Sequence, residues 1–422
     1  MASVAELNRA RNSEVRARII AGLVLTFVLT AFPLAMQMAA AQTYDVVHKL
    51  MYSEGGFSEA GLIQDEMGTF YGTTILGGTS NNGTLFKVNP KGRVTVLYSF
   101  TGGTDGAWPA SGVVRDAAGN LYGTTVTGGN PRCMYSYDRP GCGTVFKLSA
   151  AGEFSVLHSF SGKPWDGFSP DSGGSLLLDG KGNLFGTTAV GGRYNSGTVF
   201  KISQTGKFSL VYSFGKRTGD AFVPNSGLLL MGGNLYGTSV FGGAFDNGTV
   251  FRVGSHGKET VLYSFKNHSD GGRPNAPLVS DAAGNLYGTT AVGGGHCGGT
   301  VFKLSTSGKI SRIHCFTLAP ADGEQPAAGL TWDAAGNLYG TTWGGGTGCK
   351  YGCGTIFKLT PTHPGWTESI IHSFDWESGA KPLSVLLVDS TGSLYGTTSV
   401  GGISKCESGQ GPGCGVVYKL TP

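Results

Sequence analysis

One phrase, an aromatic residue followed by Gly-Thr-Thr or Gly-Thr-Ser, returns seven times along the chain. It reads Phe70-Tyr71-Gly72-Thr73-Thr74, Leu121-Tyr122-Gly123-Thr124-Thr125, Leu184-Phe185-Gly186-Thr187-Thr188 and Leu235-Tyr236-Gly237-Thr238-Ser239, and recurs around Tyr287, Tyr339 and Tyr395. The aromatic positions are spaced by 51, 63, 51, 51, 52 and 56 residues. A unit that repeats at a near-constant period cannot bury its apolar face alone and must stack on its neighbours; a period of about 50 suits propeller blades. The 422 residues, which would otherwise suggest two or three domains, then belong largely to one.

Each unit holds four strand-like runs. In the second unit they are residues 112–115, 121–126, 144–148 and 154–160, here strands a, b, c and d. Runs rich in Val, Leu, Phe, Tyr and Thr, punctuated by Gly, Asp and Asn, are strand and hairpin signals. They also explain why 73 glycines signal tight turns and not disorder. The phase of the repeat predicts closure. After the first 41 residues the chain opens on a d-type run, 44–50, and it ends on a c-type run, 416–420. Seven complete units require the first strand to finish the last. The expectation is an all-β, seven-bladed β-propeller with four-stranded blades, its last blade closed by the N-terminal strand. Such closure removes exposed sheet edges.

The first 41 residues carry arginines at 9, 11, 16 and 18, an apolar run from 19 to about 36, and Ala39-Ala40-Ala41 before Gln42. That is the order of a cleavable signal peptide; an uncleaved anchor is the alternative. The expected division is residues 1–41 as signal peptide and 42–422 as a single propeller domain. Without residues 1–41 the formal charge is 27 basic against 25 acidic residues. No basic stripe favours nucleic acid, no second apolar segment follows, and a monomeric exported protein is expected in the periplasm, at the cell surface or outside the cell.

The phrases Gly-Asn-Leu-Tyr-Gly-Thr-Thr, Gly-Thr-Val-Phe-Lys-Leu and Val-Leu-Tyr-Ser-Phe, recurring in that order over about residues 44 to 422, resemble the GloVer tandem repeat of Gloeobacter and Verrucomicrobia. The resemblance implies an exported bacterial protein of the choice-of-anchor kind, and it carries no established activity or catalytic residues. The chain stops at Thr421-Pro422 without a C-terminal sorting tail, so anchoring by that route is not expected.

Repetition separates scaffold from site. Asp65, Asp116, Asp179, Asp281, Asp333 and Asp389 open the a–b turn, where an Asp caps backbone amides. Lys87, Lys147, Lys201, Arg252, Lys303, Lys358 and Lys419 share one position in strand c and read as long side chains lying along a blade surface. His48, His158, His314 and His372 share a strand-d position with Tyr98, Tyr212 and Tyr263, which also reads as scaffold. Alternating strand direction puts the long b–c and d–a loops on one face, where binding is expected.

Eight cysteines fall in those regions. Export favours disulfides over a Cys-x3-Cys metal site near His296, with pairs Cys133–Cys142, Cys297–Cys315, Cys349–Cys353 and Cys406–Cys414. A recurrent acid stands four residues before the d–a proline in units two to six, Asp105, Asp166, Asp220, Asp270 and Asp322, with Glu54 before Ser58 in the first unit and Ser378 before Pro382 in the seventh. A ring of such oxygens around the channel mouth would suit Ca²⁺; turn formation is the simpler reading, and no other cofactor is expected. Aromatics gather on the same loops: Trp108, Trp165, Phe168, Phe222 and Trp376, and Tyr135, Tyr137, Tyr194, Phe245 and Trp343. Of these, Trp108, Trp165, Tyr194, Phe245 and Trp343 are the candidate ligand contacts. No nucleophile elbow, phosphate loop or zinc-protease motif occurs. The residues therefore point to a non-catalytic binding module for a glycan or a cell-surface protein, the alternative being a propeller lyase or hydrolase acting at the channel mouth.

Overall fold

The computed structural model describes residues 42–136, 139–170, 174–319, 321–403, 406 and 413–421. The expected signal segment lies outside these residues, as do Tyr137 and the side chain of Tyr135. Seven antiparallel sheets follow one another around a ring. Blade 1 runs Ile63–Gln64, Phe70–Thr74, Thr84–Val88 and Val94–Ser99, paired in that order. Blades 2 to 6 repeat this order, and blade 3 adds a short strand, Gly167–Pro170, beside its strand b. Blade 7 joins Leu387–Val388, Leu394–Thr397 and Val416–Thr421 to the N-terminal strand Thr43–Lys49. The closing register pairs Thr43 with Thr421 and Lys49 with Val416. Strand a is shorter than expected, two residues in blade 2, because only its last residues pair with strand b.

The repeated phrase has a distinct task for each residue. Its glycine sits under the strand-c phenylalanine: a Cβ at Gly123 would lie 2.6 Å from Phe146 Cζ, and one at Gly237 2.6 Å from Phe251 Cζ. Those phenylalanines are fully buried, so the ring takes the space that any side chain would need. The first threonine fastens neighbouring blades. Thr73 Oγ1 donates to Ser111 O at 2.8 Å, Thr238 to Ala276 O at 3.0 Å and Thr289 to Ala328 O at 3.1 Å. Thr397 closes the ring by donating to Ser58 O at 3.2 Å. The second threonine bridges b to c: Thr125 and Thr144 hydroxyls meet at 2.8 Å, and Thr125 also donates to Thr127 O. Buried hydroxyls satisfied in this way tie the seams without leaving orphaned polar groups.

The Asp of the a–b turn caps as expected. Asp116 Oδ1 accepts from Ala118 N and Asn120 N, and Oδ2 accepts from the Asn120 side chain and Tyr122 OH. Burial opposes its charge, but these hydrogen bonds hold the carboxyl below its usual range. The strand-c lysines lie over strand-b rings, Lys147 over Tyr122 at 5.7 Å and Lys303 over Tyr287 at 5.2 Å, so they cover aromatic faces.

Blade 7 departs from the pattern at one core position. Tyr418 replaces the strand-c phenylalanine and is fully buried, and its hydroxyl has no hydrogen-bond partner among the described residues. Ser384 beside it is already engaged with Thr397 N and O. Tyr418→Phe removes an unsatisfied polar group without changing the packing, and is expected to stabilise the fold by about 1 kcal/mol. A melting temperature at or below that of the parent would contradict this.

Candidate functional site

The b–c and d–a loops share one face, as strand direction predicted. In every blade a residue of the d–a loop pairs with one at the start of the b–c loop. The pairs are Gly56↔Leu76, Ala107↔Thr127, Phe168↔Val190, Phe222↔Phe241, Gly272↔Val292, Glu324↔Gly344 and Ala380↔Val400. The next residue of each d–a loop is left-handed: Phe57, Trp108, Ser169, Val223, Arg273, Gln325 and Lys381 have φ between 54° and 60°. Non-glycine residues avoid this region, and a β-branched residue such as Val223 does so most strongly. Here the conformation is imposed. Each residue donates its N–H to a b–c loop carbonyl of the preceding blade, from Trp108 to Asn82, from Ser169 to Cys142 and so on, ending with Phe57 to Cys414. The result is a rigid ring of seven equivalent backbone positions bearing seven different side chains. Sequence reading missed it, because nothing in residue type marks a left-handed position occupied by Phe, Trp, Val or Lys.

Glu54, Asp105, Asp166, Asp220, Asp270 and Asp322 are not among the residues that line the channel. Each carboxylate turns outward to its own strand d. Asp105 accepts from Thr101 N and from Tyr98 OH, and Asp220 from Lys216 N and Tyr212 OH. Asp166 accepts from Ser161 N and Gly167 N and meets His158 at 3.0 Å, Asp270 meets Tyr263 OH, and Glu54 meets His48 at 2.8 Å. Burial, with the charge of Asp105 added, pushes the Tyr98 hydroxyl up to about 12, so it remains a donor. These acids lock the loop onto the outer strand and leave few free oxygens for a shared cation.

The channel is lined instead by residues just after the loop prolines, with about 510 Å³ of space. Its walls are mostly Ala, Gly, Leu and Val; Asn225, Asn275 and Glu59 are the larger polar groups among the described residues. Asn275 Oδ1 is buried without a partner among the described residues. Burial raises the Glu59 carboxyl above its usual value.

Trp165, Tyr194, Phe245 and Trp343 are exposed, together with Phe222 and Trp376, whereas Trp108 is half-buried within the left-handed ring. Lysines cover several of the rings: Lys163 over Trp165, Lys266 over Phe245, and Lys381 over Trp343 at 3.6 Å. Burial lowers the Lys381 pKa, and its ammonium donates to Gly352 O at 3.2 Å. Beside it, Leu318, Glu324, Lys350 and Tyr351 line a groove of about 330 Å³. Tyr351 is 85% exposed and Leu318 56%. Sequence reading passed over both, although an aromatic inside the three-residue loop between Cys349 and Cys353 was a usable signal.

All four expected disulfides form, with Cα–Cα separations of 5.6, 5.5, 5.5 and 5.2 Å in chain order. They brace the b–c loops of blades 2, 6 and 7 and the c–d hairpin of blade 5. Iodoacetamide applied to unreduced, denatured protein is expected to label no thiol; mass shifts corresponding to several labels would contradict the pairing.

Among the described residues no helix is long and apolar enough to cross a membrane. The fold resembles a solved streptogramin B lyase with a TM-score of 0.57 at 15% identity, covering 90% of this chain and 97% of that one. It also resembles the extracellular domain of a one-component system from B. thetaiotaomicron, with a TM-score of 0.50 at 12% identity, covering 89% of this chain and 39% of that one. Likeness at these identities concerns the fold and no further. No curated protein sequence matches. The Gloeobacter/Verrucomicrobia repeat matches residues 34–239 and 219–410, and the chain therefore belongs to this bacterial repeat family.

Proposed function

We propose that the protein is an exported, non-catalytic binding module that holds a polysaccharide on its b–c/d–a face. The observation that carries this reading is the groove in which exposed Tyr351 and Leu318 stand beside Glu324. A flat aromatic ring and an apolar side chain next to a carboxylate and backbone carbonyls suit a sugar, which offers an apolar C–H face and a rim of hydroxyl donors. The rigid left-handed ring supports the same reading, since a preorganised platform loses little entropy on binding. Four disulfides in loop regions are what an oxidising compartment permits, which supports export.

A glycan array followed by titration with the retained polysaccharide tests this. Tyr351→Ala is expected to weaken binding about 30-fold, corresponding to about 2 kcal/mol for an aromatic anchor, with an unchanged melting temperature. A second reading, a lyase or hydrolase at the channel mouth, is favoured by Glu59, an acid in a largely apolar channel. Turnover of a polysaccharide without retention, abolished in Glu59→Gln, would reverse the order of the two readings.

A further inference from the structure

The strand-d residue that pairs with the last buried residue of strand c has a recurrent task at the blade seam. It covers the His or Tyr of the preceding blade's strand d. Phe154 stacks on Tyr98, Phe208 on His158 and Tyr44 on His372, each at 3.8 Å and within 8° of parallel. Two blades put glutamate there. In blade 4 the side chain of Glu259 is fully buried and one of its oxygens pairs with Arg217, the other having no partner among the described residues. In blade 6 the residue is Glu368, which occupies the same register opposite Leu359, and no arginine or lysine pairs with it among the described residues.

Glu368 faces His314 and Asp322 instead. One ligand atom from each of the three lies within 4.8 Å of the other two. His314 Nε2 and Glu368 Oε1 are buried and have no hydrogen-bond partner among the described residues. Asp322 is held firmly: Oδ2 accepts from Thr317 N and Oγ1, and Oδ1 accepts from Gly323 N. The contrast with the other seams is internal to the chain. His158 closes on Asp166 at 3.0 Å and His48 on Glu54 at 2.8 Å, whereas His314 stands 4.0 Å from Asp322. That seam is opened, and a second carboxylate is added to it. Two carboxylates and a free imidazole nitrogen in a half-buried seam are costly without a counter-charge.

We propose that His314, Asp322 and Glu368 form a site for a divalent transition-metal ion, with zinc as the best fit. One imidazole and two carboxylates, with a fourth position left to water, match zinc's preferred donors. Tetrahedral zinc separates its ligand atoms by about 3.3 Å, so closure requires side-chain shifts on the order of 1 Å. The nearby cation, Arg312, is turned to the carbonyls of Ser269 and Gly294. At the same strand-d position His48 and His158 pair with their acids, whereas His314 Nε2 and His372 Nε2 have no hydrogen-bond partner among the described residues.

The test is zinc titration of chelator-stripped protein by calorimetry, with metal content read by mass spectrometry after dialysis. One zinc per chain is expected, with a micromolar or tighter Kd and a raised melting temperature. Glu368→Gln and His314→Gln should each weaken binding about 100-fold, while His158→Gln should leave it unchanged. No retained zinc in folded wild-type protein would overturn the proposal. So would zinc binding that survives both Glu368→Gln and His314→Gln, since it would then lie on other histidines.

Discussion

A chain lacking residues 43–49 will lose its cooperative thermal transition. That segment supplies the outer strand of blade 7 and six register pairs to Val416–Thr421. Tyr44 and Val46 pack on the cluster of Phe374, Leu394 and Tyr418, and Tyr44 OH donates to Ser378 O at 2.6 Å. Covering that much apolar surface is worth about 1.5–3 kcal/mol per large side chain. The total is comparable with the whole net stability of an ordinary domain, about 5–15 kcal/mol. Deletion also leaves the hydrogen-bonding edge of the last strand open to other chains. A circular permutant that begins at Met51 and joins Thr421 to Thr43 through a five-residue turn should restore the transition. Blade 2 makes the same connection between Leu148 and Phe154. Calorimetry decides: a deletion that melts at the parental temperature would show that the N-terminal strand is dispensable.

Gly340→Ala is expected to destabilise the fold by about 3 kcal/mol, at the upper end for overpacking a core. The new Cβ would sit 2.5 Å from Phe357 Cζ, 2.9 Å from Cε1 and 3.1 Å from Leu330 Cδ2. Phe357 is fully buried and packs edge-on against Phe316 at 5.0 Å, so moving it disturbs the seam with blade 5 as well. Phe357→Leu in the same chain should recover part of the loss, because the two positions share one volume and their effects do not add. Urea unfolding measures both. A cost below about 0.5 kcal/mol for the single change would mean that the ring does not dictate the glycine.

Much of this was legible in the residues. The repeat period, the strand order within a unit, the shared seventh blade and the four disulfide pairs all follow from features a few residues apart, or from the phase of one period. Turn chemistry and strand alternation act at that range. The candidate face followed from strand direction alone. The outward turn of Asp105 and its equivalents was not legible, although their spacing from proline was. Whether such a carboxylate faces the channel or the outer strand depends on the loop's path between blades, and that path is held by cross-blade hydrogen bonds such as Trp108 N to Asn82 O.

The chain's sequence by itself determined that seven like units must stack and close, because each phrase specifies a hairpin whose apolar face needs a neighbour. Tertiary structure alone decided what meets across the seams. Glu259 finds Arg217 and Glu368 finds His314 and Asp322, although both glutamates occupy one position in the repeat. Those encounters join residues roughly a blade apart, and they depend on sheet twist and seam packing, which the repeat pattern does not encode.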